Sequence, residues 1–231
     1  MDTMFWQQED SEKTFQVPDD VVDVLFAMDC RRLPVDHAYA LSRAIKNALP
    51  WLEEKDGVGI HTVHMAGSQN GWERPEHGTD SHLIVSRRTK LTIRVRKERM
   101  EALRRDLQGV TLDVAGCPMT VREGRVRPLS KETTVFSRFV AARPDQDEGA
   151  FLAGVADELR SMGIQVRKAL CGKSTPLSTP AGPLYTRSLL LADLSPEESV
   201  RLQRSGLGPH RDMGCGIFIP HKGVDPVRKG G

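Results

Sequence analysis

The feature that most limits the fold of this chain is an order of strands and helices that occurs twice in succession. The periodicity of apolar residues predicts strand, helix, strand, strand, helix, strand over residues 21–121, and the same order again over residues 133–220. Matching elements of the two copies lie about 110 residues apart. Since this order is that of the ferredoxin-like unit, the sequence predicts an α+β protein with two tandem ferredoxin-like (RRM-like, βαββαβ) domains.

The first copy begins with a strand that is followed by an amphipathic helix. Asp36 is the candidate N-cap of this helix, so His37 is expected in its first turn. A second helix, rich in basic residues, is predicted over residues 97–107. The strands of this copy are predicted over residues 21–28, 57–65, 82–86, 91–95, 110–114 and 119–121.

The second copy contains a strong helix start signal. Ser195, Pro196 and Glu198 supply an N-cap, a proline at the first position and a capping-box glutamate. The elements of this copy are predicted as strands over residues 133–141, 165–170, 184–192 and 215–220, and as helices over residues 147–162 and 195–204. We therefore expect an acidic N-terminal segment over residues 1–19, an N-terminal ferredoxin-like domain over 20–130, and a C-terminal ferredoxin-like domain with a glycine-rich loop over 131–231.

The distribution of charge predicts a polyanionic partner. Residues 1–20 contain six acidic side chains and one basic side chain, so this segment at −5 leaves +7 on the rest of a chain whose net charge is +2. Residues 87–105 contain nine basic and two acidic residues, and arginine outnumbers lysine seven to two. Because the guanidinium fork suits phosphate, this density favours nucleic acid over the alternative of a solvated helix face.

Several classes of protein are not expected from this sequence. The chain has no apolar run long enough to span a membrane, and its acidic N-terminus lacks the features of a signal peptide, so we expect a cytoplasmic protein. The four cysteines lie far apart without a C-x-x-C pair, which favours free thiols over a metal site or a disulfide framework. We expect no metal and no small-molecule cofactor.

A glycine-rich loop near the C-terminus is the most distinctive local feature. Four glycines, Gly206, Gly208, Gly214 and Gly216, surround a basic tip that contains His210 and Arg211. Glycine permits positive φ, and consecutive backbone N–H groups in such turns form anion-binding nests. The sequence therefore predicts that the loop holds RNA backbone. The alternative is a flexible turn with a C-cap glycine at its start.

The double ferredoxin-like pattern that ends in this loop resembles the CRISPR-associated, repeat-processing (pre-crRNA) endoribonucleases of class 1 systems, a branch of the RAMP superfamily. Within that family the chain is similar to the myxobacterial-type variant. The matching words span residues 21–224 and are Pro34-Val35-Asp36-His37, Leu49-Pro50-Trp51-Leu52, Ile60-His61-Thr62-Val63-His64, Asn70-Gly71-Trp72, Leu83-Ile84-Val85-Ser86-Arg87-Arg88-Thr89 and the glycine-rich run.

The resemblance implies a metal-independent reaction on RNA. A ribose 2′-hydroxyl attacks the adjacent phosphorus, and the products carry a 2′,3′-cyclic phosphate and a 5′-hydroxyl. Such a reaction needs a base, an acid and positive charge near the phosphorane. The resemblance also implies that the enzyme retains its product and joins other subunits of a CRISPR effector complex in antiviral defence. The alternative in the same family is a non-catalytic RNA-binding subunit, and an unrelated small-molecule regulator is a third possibility.

The candidate catalytic residues follow from the helix start and from the resemblance. His37 is the leading acid/base, because a helix N-terminus favours the neutral imidazole and attracts phosphate. Its alternative is a histidine that only caps or packs. Tyr39 and Lys46 are carried over from the family, and His210 is a second catalytic candidate. His61 and His64 point to opposite faces if they lie in a strand, so at most one of them lines a cleft.

The candidate RNA-binding residues form a face that reads the shape and phosphates of a repeat stem-loop. It contains Arg87, Arg88, Arg94, Arg96, Arg99, Arg104 and Arg105, together with Lys173, Arg211 and the four glycines of the loop. Arg94 and Arg96 are expected to alternate out of their strand, and Lys173 is expected in a polar loop.

Overall fold

The computed structural model describes residues 15–52, 57–64 and 82–221. The N-terminal half contains β1 (Val21–Asp29), β2 (Arg32–Pro34), α1 (Ala38–Ala48), β3 (Gly59–Ile60), β4 (His82–Ile84), β5 (Lys90–Arg96), α2 (Met100–Leu107), β6 (Thr111–Val114) and β7 (Cys117–Pro128). The C-terminal half contains β8 (Val135–Ala141), α3 (Glu148–Ser161), β9 (Lys168–Leu177), β10 (Leu184–Ala192), α4 (Pro196–Ser205) and β11 (Ile219–Pro220). Two 3₁₀ turns, Lys97–Arg99 and Arg211–Met213, precede α2 and β11.

Each half is built on one antiparallel sheet with the first strand of the copy at its centre. The sheet of the N-terminal half has the order β3-β5-β1-β7-β6, and that of the C-terminal half has the order β11-β8-β10-β9. Both orders place the third and fourth strands of the copy on either side of the first, which is the ferredoxin-like arrangement. The prediction of two tandem ferredoxin-like units is confirmed. The domain boundaries at residues 19/20 and 130/131 stay predictions.

Alternation along the central strands builds one core in each half. In β1 the side chains of Val22, Val24 and Phe26 are buried in a cluster with apolar residues of α1 and α2 such as Leu41 and Leu103. In the second half the buried cluster joins β8, β10 and both helices through Val135, Phe151, Leu159, Leu189, Leu191 and Leu202. Burying side chains of this size contributes about 1.5–3 kcal/mol each, which makes these two clusters the main source of stability.

The two halves are joined by a third apolar cluster and by hydrogen bonds. Ala38 at the start of α1 packs with Phe139, Leu177, Met213 and Cys215 of the second half. The backbone N–H of Ser178 donates to Asp36 Oδ2 over 2.7 Å. The glycine-rich loop runs through this junction and contacts both α1 and β3. Local geometry at the start of α1 is therefore determined by both halves.

Three local predictions are wrong in ways that concern the site. His37, not Asp36, is the N-cap of α1, because the Asp36 carboxylate accepts from Ser178 instead. β4 pairs with β2 in a separate two-stranded ribbon rather than joining the main sheet. Lys173 lies in strand β9 and not in a loop, since an edge strand with one neighbour tolerates the glycine and proline around it.

Candidate active site

His37 is held between two backbone groups at the N-terminus of α1. Its Nδ1 lies 2.8 Å from the carbonyl oxygen of Pro34, and its Nε2 accepts a 2.9 Å hydrogen bond from the N–H of Val63. Since Nε2 accepts, the proton of the neutral ring is on Nδ1 and is donated to Pro34. The residue is buried, with 3% of its surface exposed. The prediction that it lies in the first turn of the helix is wrong, because it is the N-cap, and its part in catalysis stays a prediction.

His64 is a half-buried histidine next to Val63, whose N–H binds His37. Burial, followed by the positive charge of Arg138, holds the pKa of His64 well below its usual 6.5. Its Nε2 lies 3.3 Å from the hydroxyl of Thr62. The junction thus combines a neutral imidazole from the N-terminal half with a guanidinium from β8 of the C-terminal half. A neutral imidazole accepts a proton, and a guanidinium stabilises an anionic phosphorane.

His64 was only a second option in the sequence, and Arg138 was missed. The two residues are 74 positions apart, so their proximity depends on how the two halves pack. The expectation that His61 and His64 lie in a strand is wrong, because β3 ends at Ile60. His61 Nε2 lies 3.6 Å from Asp23 Oδ1, whereas His64 is next to Thr62.

Lys46 and Ser42 on α1 both contact Asp212 in the glycine-rich loop. Lys46 forms an ion pair with Asp212, and the Ser42 hydroxyl donates to Asp212 Oδ2 over 3.2 Å. Lys46 is nine residues after His37, or about 13 Å along the helix axis. Tyr39 is half-buried against the third apolar cluster and lines a groove between α1 and β6. These contacts give Lys46 a role in fastening the loop, and the catalytic roles of Lys46 and Tyr39 stay predictions.

The glycine-rich loop uses its own glycine N–H groups within the protein. Gly206 donates to the carbonyl of Leu202, Gly208 to Glu158 Oε1, Gly214 to the carbonyl of Arg211 and Gly216 to the carbonyl of Phe139, all over 2.6–3.1 Å. These N–H groups are therefore not available as an anion nest. The prediction that Gly206, Gly208, Gly214 and Gly216 hold RNA backbone through their N–H groups is wrong for this structure.

Close approach to other parts of the chain explains these glycines instead. A Cβ on Gly216 would lie 1.8 Å from the carbonyl oxygen of Leu207, and one on Gly214 would lie 2.9 Å from Thr62 Cγ2. Both residues also have positive φ, at 61° and 84°. The loop is packed into the junction, so it serves to join the halves.

The basic tip of the loop is divided between the interior and the surface. Arg211 is buried rather than at the surface, and its Nη1 donates to the carbonyl of Ser205 over 2.8 Å. Its contact with RNA stays a prediction. His210 is half-buried with a left-handed backbone, and its carbonyl accepts from Met213 and Cys215. A catalytic role for His210 stays a prediction.

Arg94 is an internal residue and not part of an RNA-binding face. It is 1% exposed, and its guanidinium pairs with Asp23 at 2.7 Å. Its Nη1 also donates to the carbonyls of Gln203 and Phe218, over 2.7 and 3.1 Å. The prediction of an outward Arg94 is wrong because the C-terminal half covers this part of the first sheet.

The other predicted RNA-binding residues lie on the surface, in two groups. Arg104 pairs with Glu101 at 3.3 Å and Arg105 with Asp106 at 2.8 Å, so both already have acidic partners. Side chains that are exposed and form no ion pair within the described residues belong to Arg87, Arg88, Arg96, Arg99 and Lys173. The basic surface is thus smaller than expected, and its contact with RNA stays a prediction.

Two features of residues 15–52, 57–64 and 82–221 bear on the metal-binding and membrane-spanning classes considered from sequence. Within this part of the chain no three side chains of the ligand types His, Cys, Asp and Glu come together as a metal site. In the same residues no helix is both long and apolar enough to cross a membrane. The Asn70-Gly71-Trp72 word lies outside the described residues.

Comparison with known proteins gives one family. A family model described as Cas6 Crispr matches residues 22–223. A curated relative, the "CRISPR-associated endonuclease Cas6" of Myxococcus xanthus (strain DK1622), is 29% identical over 199 residues, which make up 86% of this chain and 81% of that protein. These matches confirm the resemblance that was seen in the sequence.

Two solved structures share the fold. One, titled "CRISPR associated protein Cas6", has a TM-score of 0.64 at 12% identity and covers 87% of this chain and 100% of its own. The other, from a characterisation of a Cas6-related gene of Pyrococcus furiosus, has a TM-score of 0.56 at 11% identity and covers 86% and 97%. At such identities the likeness shows the tandem fold alone.

Proposed function

The chain belongs to the Cas6 family, and from this premise we propose that it is an endoribonuclease that cuts CRISPR repeat RNA to produce guide RNAs. The name of its Myxococcus relative, an endonuclease, supports the activity. Exposed arginines without acidic partners, such as Arg87, Arg88 and Arg96, support RNA as the substrate. We further propose that the enzyme keeps the cut RNA and serves as a subunit of a CRISPR effector complex.

The proposed chemistry is metal-independent transesterification. The 2′-oxygen forms a bond to phosphorus, the bond from phosphorus to the 5′-oxygen breaks, and a 2′,3′-cyclic phosphate remains on one fragment. A base takes the proton of the 2′-hydroxyl, and an acid gives a proton to the departing 5′-oxygen. Positive charge near the phosphorane stabilises the transition state. No cofactor takes part in this scheme.

We assign the base to His64 and the charge to Arg138. The observation that carries this assignment is the place of His64 at the junction of the halves, where it is half-buried with its Nε2 3.3 Å from the Thr62 hydroxyl. Burial and then Arg138 lower its pKa, which keeps the imidazole neutral there. His37 is then a positioning residue, since its ring binds the N–H of Val63, the neighbour of His64. Tyr39 and His210 are the candidates for the acid, and Lys46 positions the loop through Asp212.

The test is cleavage by His64→Ala of the repeat RNA from the protein's own CRISPR array. Loss of a general base lowers the rate by about 10²–10⁴-fold, whereas the affinity for RNA should be nearly unchanged. His82→Ala is the matched control, because His82 is an exposed histidine of β4 and should cleave as the wild type does. Normal cleavage by His64→Ala would overturn the assignment of the base.

His37→Ala separates the positioning role from a direct one. If His37 only orders the segment before His64, the variant loses cleavage together with thermal stability, because Val63 N–H and Pro34 C=O lose their partner. Loss of cleavage with unchanged stability would instead make His37 the acid/base.

A binding-only subunit is the second candidate function. The observation that favours it is the full engagement of both His37 nitrogens in backbone contacts. Tight, salt-sensitive binding of the repeat RNA by the wild type, with no fragments formed, would establish this reading in place of the enzyme.

A further inference from the structure

A large groove lies outside the junction, between the β2–β4 ribbon and the ends of β1 and β7. Its volume is about 1010 Å³, and it is open to solvent along one side. Pockets for small molecules have volumes of about 300–1,000 Å³, so this groove is large enough for more than one nucleotide. We call it the arginine groove, after Arg31, Arg32 and Arg87, which line it.

The three arginines leave a net positive charge on the rim. Arg31, Arg32 and Arg87 are exposed, and none of them forms an ion pair or a side-chain hydrogen bond within the described residues. The carboxylate that lines the groove, Asp29, is already paired with Arg122 at 2.5 Å. Three guanidinium groups at one opening repel each other unless an anion lies between them, so the rim suits a ligand with several negative charges.

The floor of the groove is apolar, which a polyanion alone does not explain. Ile84 in β4 is 79% exposed, the highest value among the large hydrophobic residues of the described chain. Met28 and the half-buried Val85 line the same groove. A ligand that combines phosphates with flat apolar groups matches both surfaces, and unpaired nucleotides have this combination.

We propose that the arginine groove binds a single-stranded stretch of RNA that flanks the repeat hairpin. Arg31, Arg32 and Arg87 contact its phosphates, and its bases lie on Ile84. This inference rests on the proposed function and adds a second contact region for the same RNA. A duplex is excluded as the ligand because its bases are stacked inside the helix and cannot reach an apolar floor.

The ribbon links the groove to the candidate active site. β2 contributes Arg32 to the groove, and Pro34, two residues later in the same strand, accepts from the His37 ring. An RNA strand that leaves the junction along this ribbon would reach the arginines of the groove within a few nucleotides. The flank would then hold the RNA in register with the site.

The first test measures binding of a fluorescein-labelled twelve-uridine RNA by anisotropy at several salt concentrations. The triple variant Arg31→Ala/Arg32→Ala/Arg87→Ala should bind roughly tenfold more weakly, and the slope of log K against log salt should fall by about 2, or about 0.7 per lost phosphate contact. The charge-matched control is Arg143→Ala/Arg160→Ala/Lys168→Ala, which removes three exposed bases of the second half and should bind as the wild type does. Equal losses in the two triple variants would overturn the proposal.

The apolar floor of the groove allows a second, independent test of the proposal. Ile84→Ser should weaken binding of the same RNA about threefold to tenfold without changing the salt slope, since base contact involves no counterion. Unchanged affinity in this variant would overturn the contact of bases with the floor.

The closing experiment separates this inference from the proposed function. Wild type and the double variant Arg31→Ala/Arg32→Ala, which keeps Arg87 in place, are given the repeat hairpin with and without a flank of twelve uridines. We expect both proteins to cut the bare hairpin equally, and only the wild type to bind the flanked RNA about tenfold more tightly than the bare hairpin.

Cleavage of the hairpin without any gain in affinity from the flank would overturn the role of the groove alone. Intact hairpin in every sample would overturn the proposed function, and a flank effect equal in both proteins would also overturn the groove. Unchanged RNA binding with loss of a co-purifying protein would overturn the RNA assignment and indicate a protein partner.

Discussion

At the scale of single residues, alternation along the strands predicted which apolar side chains are buried. It did not predict which polar side chains are buried. Arg96 of β5 is exposed as expected, whereas Arg94 on the same strand is buried. The sequence cannot show this difference, because the atoms that cover Arg94 belong to Gln203 and Phe218, more than 100 residues later. For the same reason the two backbone partners of His37 could not be foreseen from its position at a helix start.

The burial of Arg94 predicts a large effect on stability. Arg94→Ala leaves the Asp23 carboxylate, 2% exposed, with the single arginine Arg127 and with His61 beyond hydrogen-bond distance. Breaking a buried ion pair in this way costs about 3–5 kcal/mol. Urea unfolding should show this loss for Arg94→Ala and a change below about 0.5 kcal/mol for Arg96→Ala. If Arg94→Ala unfolds as the wild type does but binds RNA less well, Arg94 contacts RNA after all.

At the scale of elements, the start signals that depend on neighbouring residues were predicted correctly. Ser195 and Glu198 form the capping box of α4, as the sequence predicted. Asp36 failed as a cap because a backbone N–H of the other half competes for its carboxylate. The glycine-rich loop was found from the sequence, but the internal hydrogen bonds of its N–H groups were not foreseen. The spacing of its glycines fits both an anion nest and a loop that packs closely against other parts of the chain. Only the tertiary packing distinguishes these two roles.

The glycines of the loop supply a matched pair for this distinction. Gly216 and Gly208 both have positive φ, at 61° and 68°, but a Cβ on Gly208 meets nothing within 4 Å. Gly208→Ala should cost only the left-handed strain of about 1–2 kcal/mol. Gly216→Ala adds overlap with the Leu207 carbonyl, so we expect a loss above about 4 kcal/mol or failure to fold. Thermal melts and RNA binding of both variants test this. Weak RNA binding by a stable Gly208→Ala variant would support the anion nest over the packing role of the loop.

At the scale of the whole molecule, the tandem fold follows from the repeated order of elements, whereas the site does not. Both halves contribute to the junction, with His64 from the first and Arg138 from the second. A single sequence contains no information on which residues of one half face the other. For this reason the fold class was predicted in full, whereas of the candidate site only the histidines of the N-terminal half were named and Arg138 was not.

The histidines of the junction predict that stability depends on pH. Burial lowers the pKa of His61, and burial with Arg138 lowers that of His64, both from 6.5. The unfolded chain therefore binds protons near pH 6.5 that the folded protein does not, and stability falls as the pH decreases below that value. Asp23 does not add to this loss, since its own pKa is lowered well below 3.8 by Arg94 and His61 against the opposing effect of burial, which is the largest single influence.

Urea unfolding at pH 7.5 and 5.5 measures this effect. We expect lower stability at pH 5.5 in the wild type and a smaller difference in His64→Gln, which removes one of the two groups. The control His82→Ala, at an exposed position, should keep the wild-type difference. Equal stability of the wild type at the two pH values would contradict the lowered pKa values.

The central claim is that this chain cuts repeat RNA by attack of a 2′-hydroxyl without a metal. The most direct measurement is mass spectrometry of the fragments formed from the repeat RNA in EDTA. We predict one cut, with a 2′,3′-cyclic phosphate on the upstream fragment and a 5′-hydroxyl on the downstream one, and no cut when the 2′-hydroxyl at that position is replaced by hydrogen. Fragments that need added metal, or that carry a 5′-phosphate, would contradict the account.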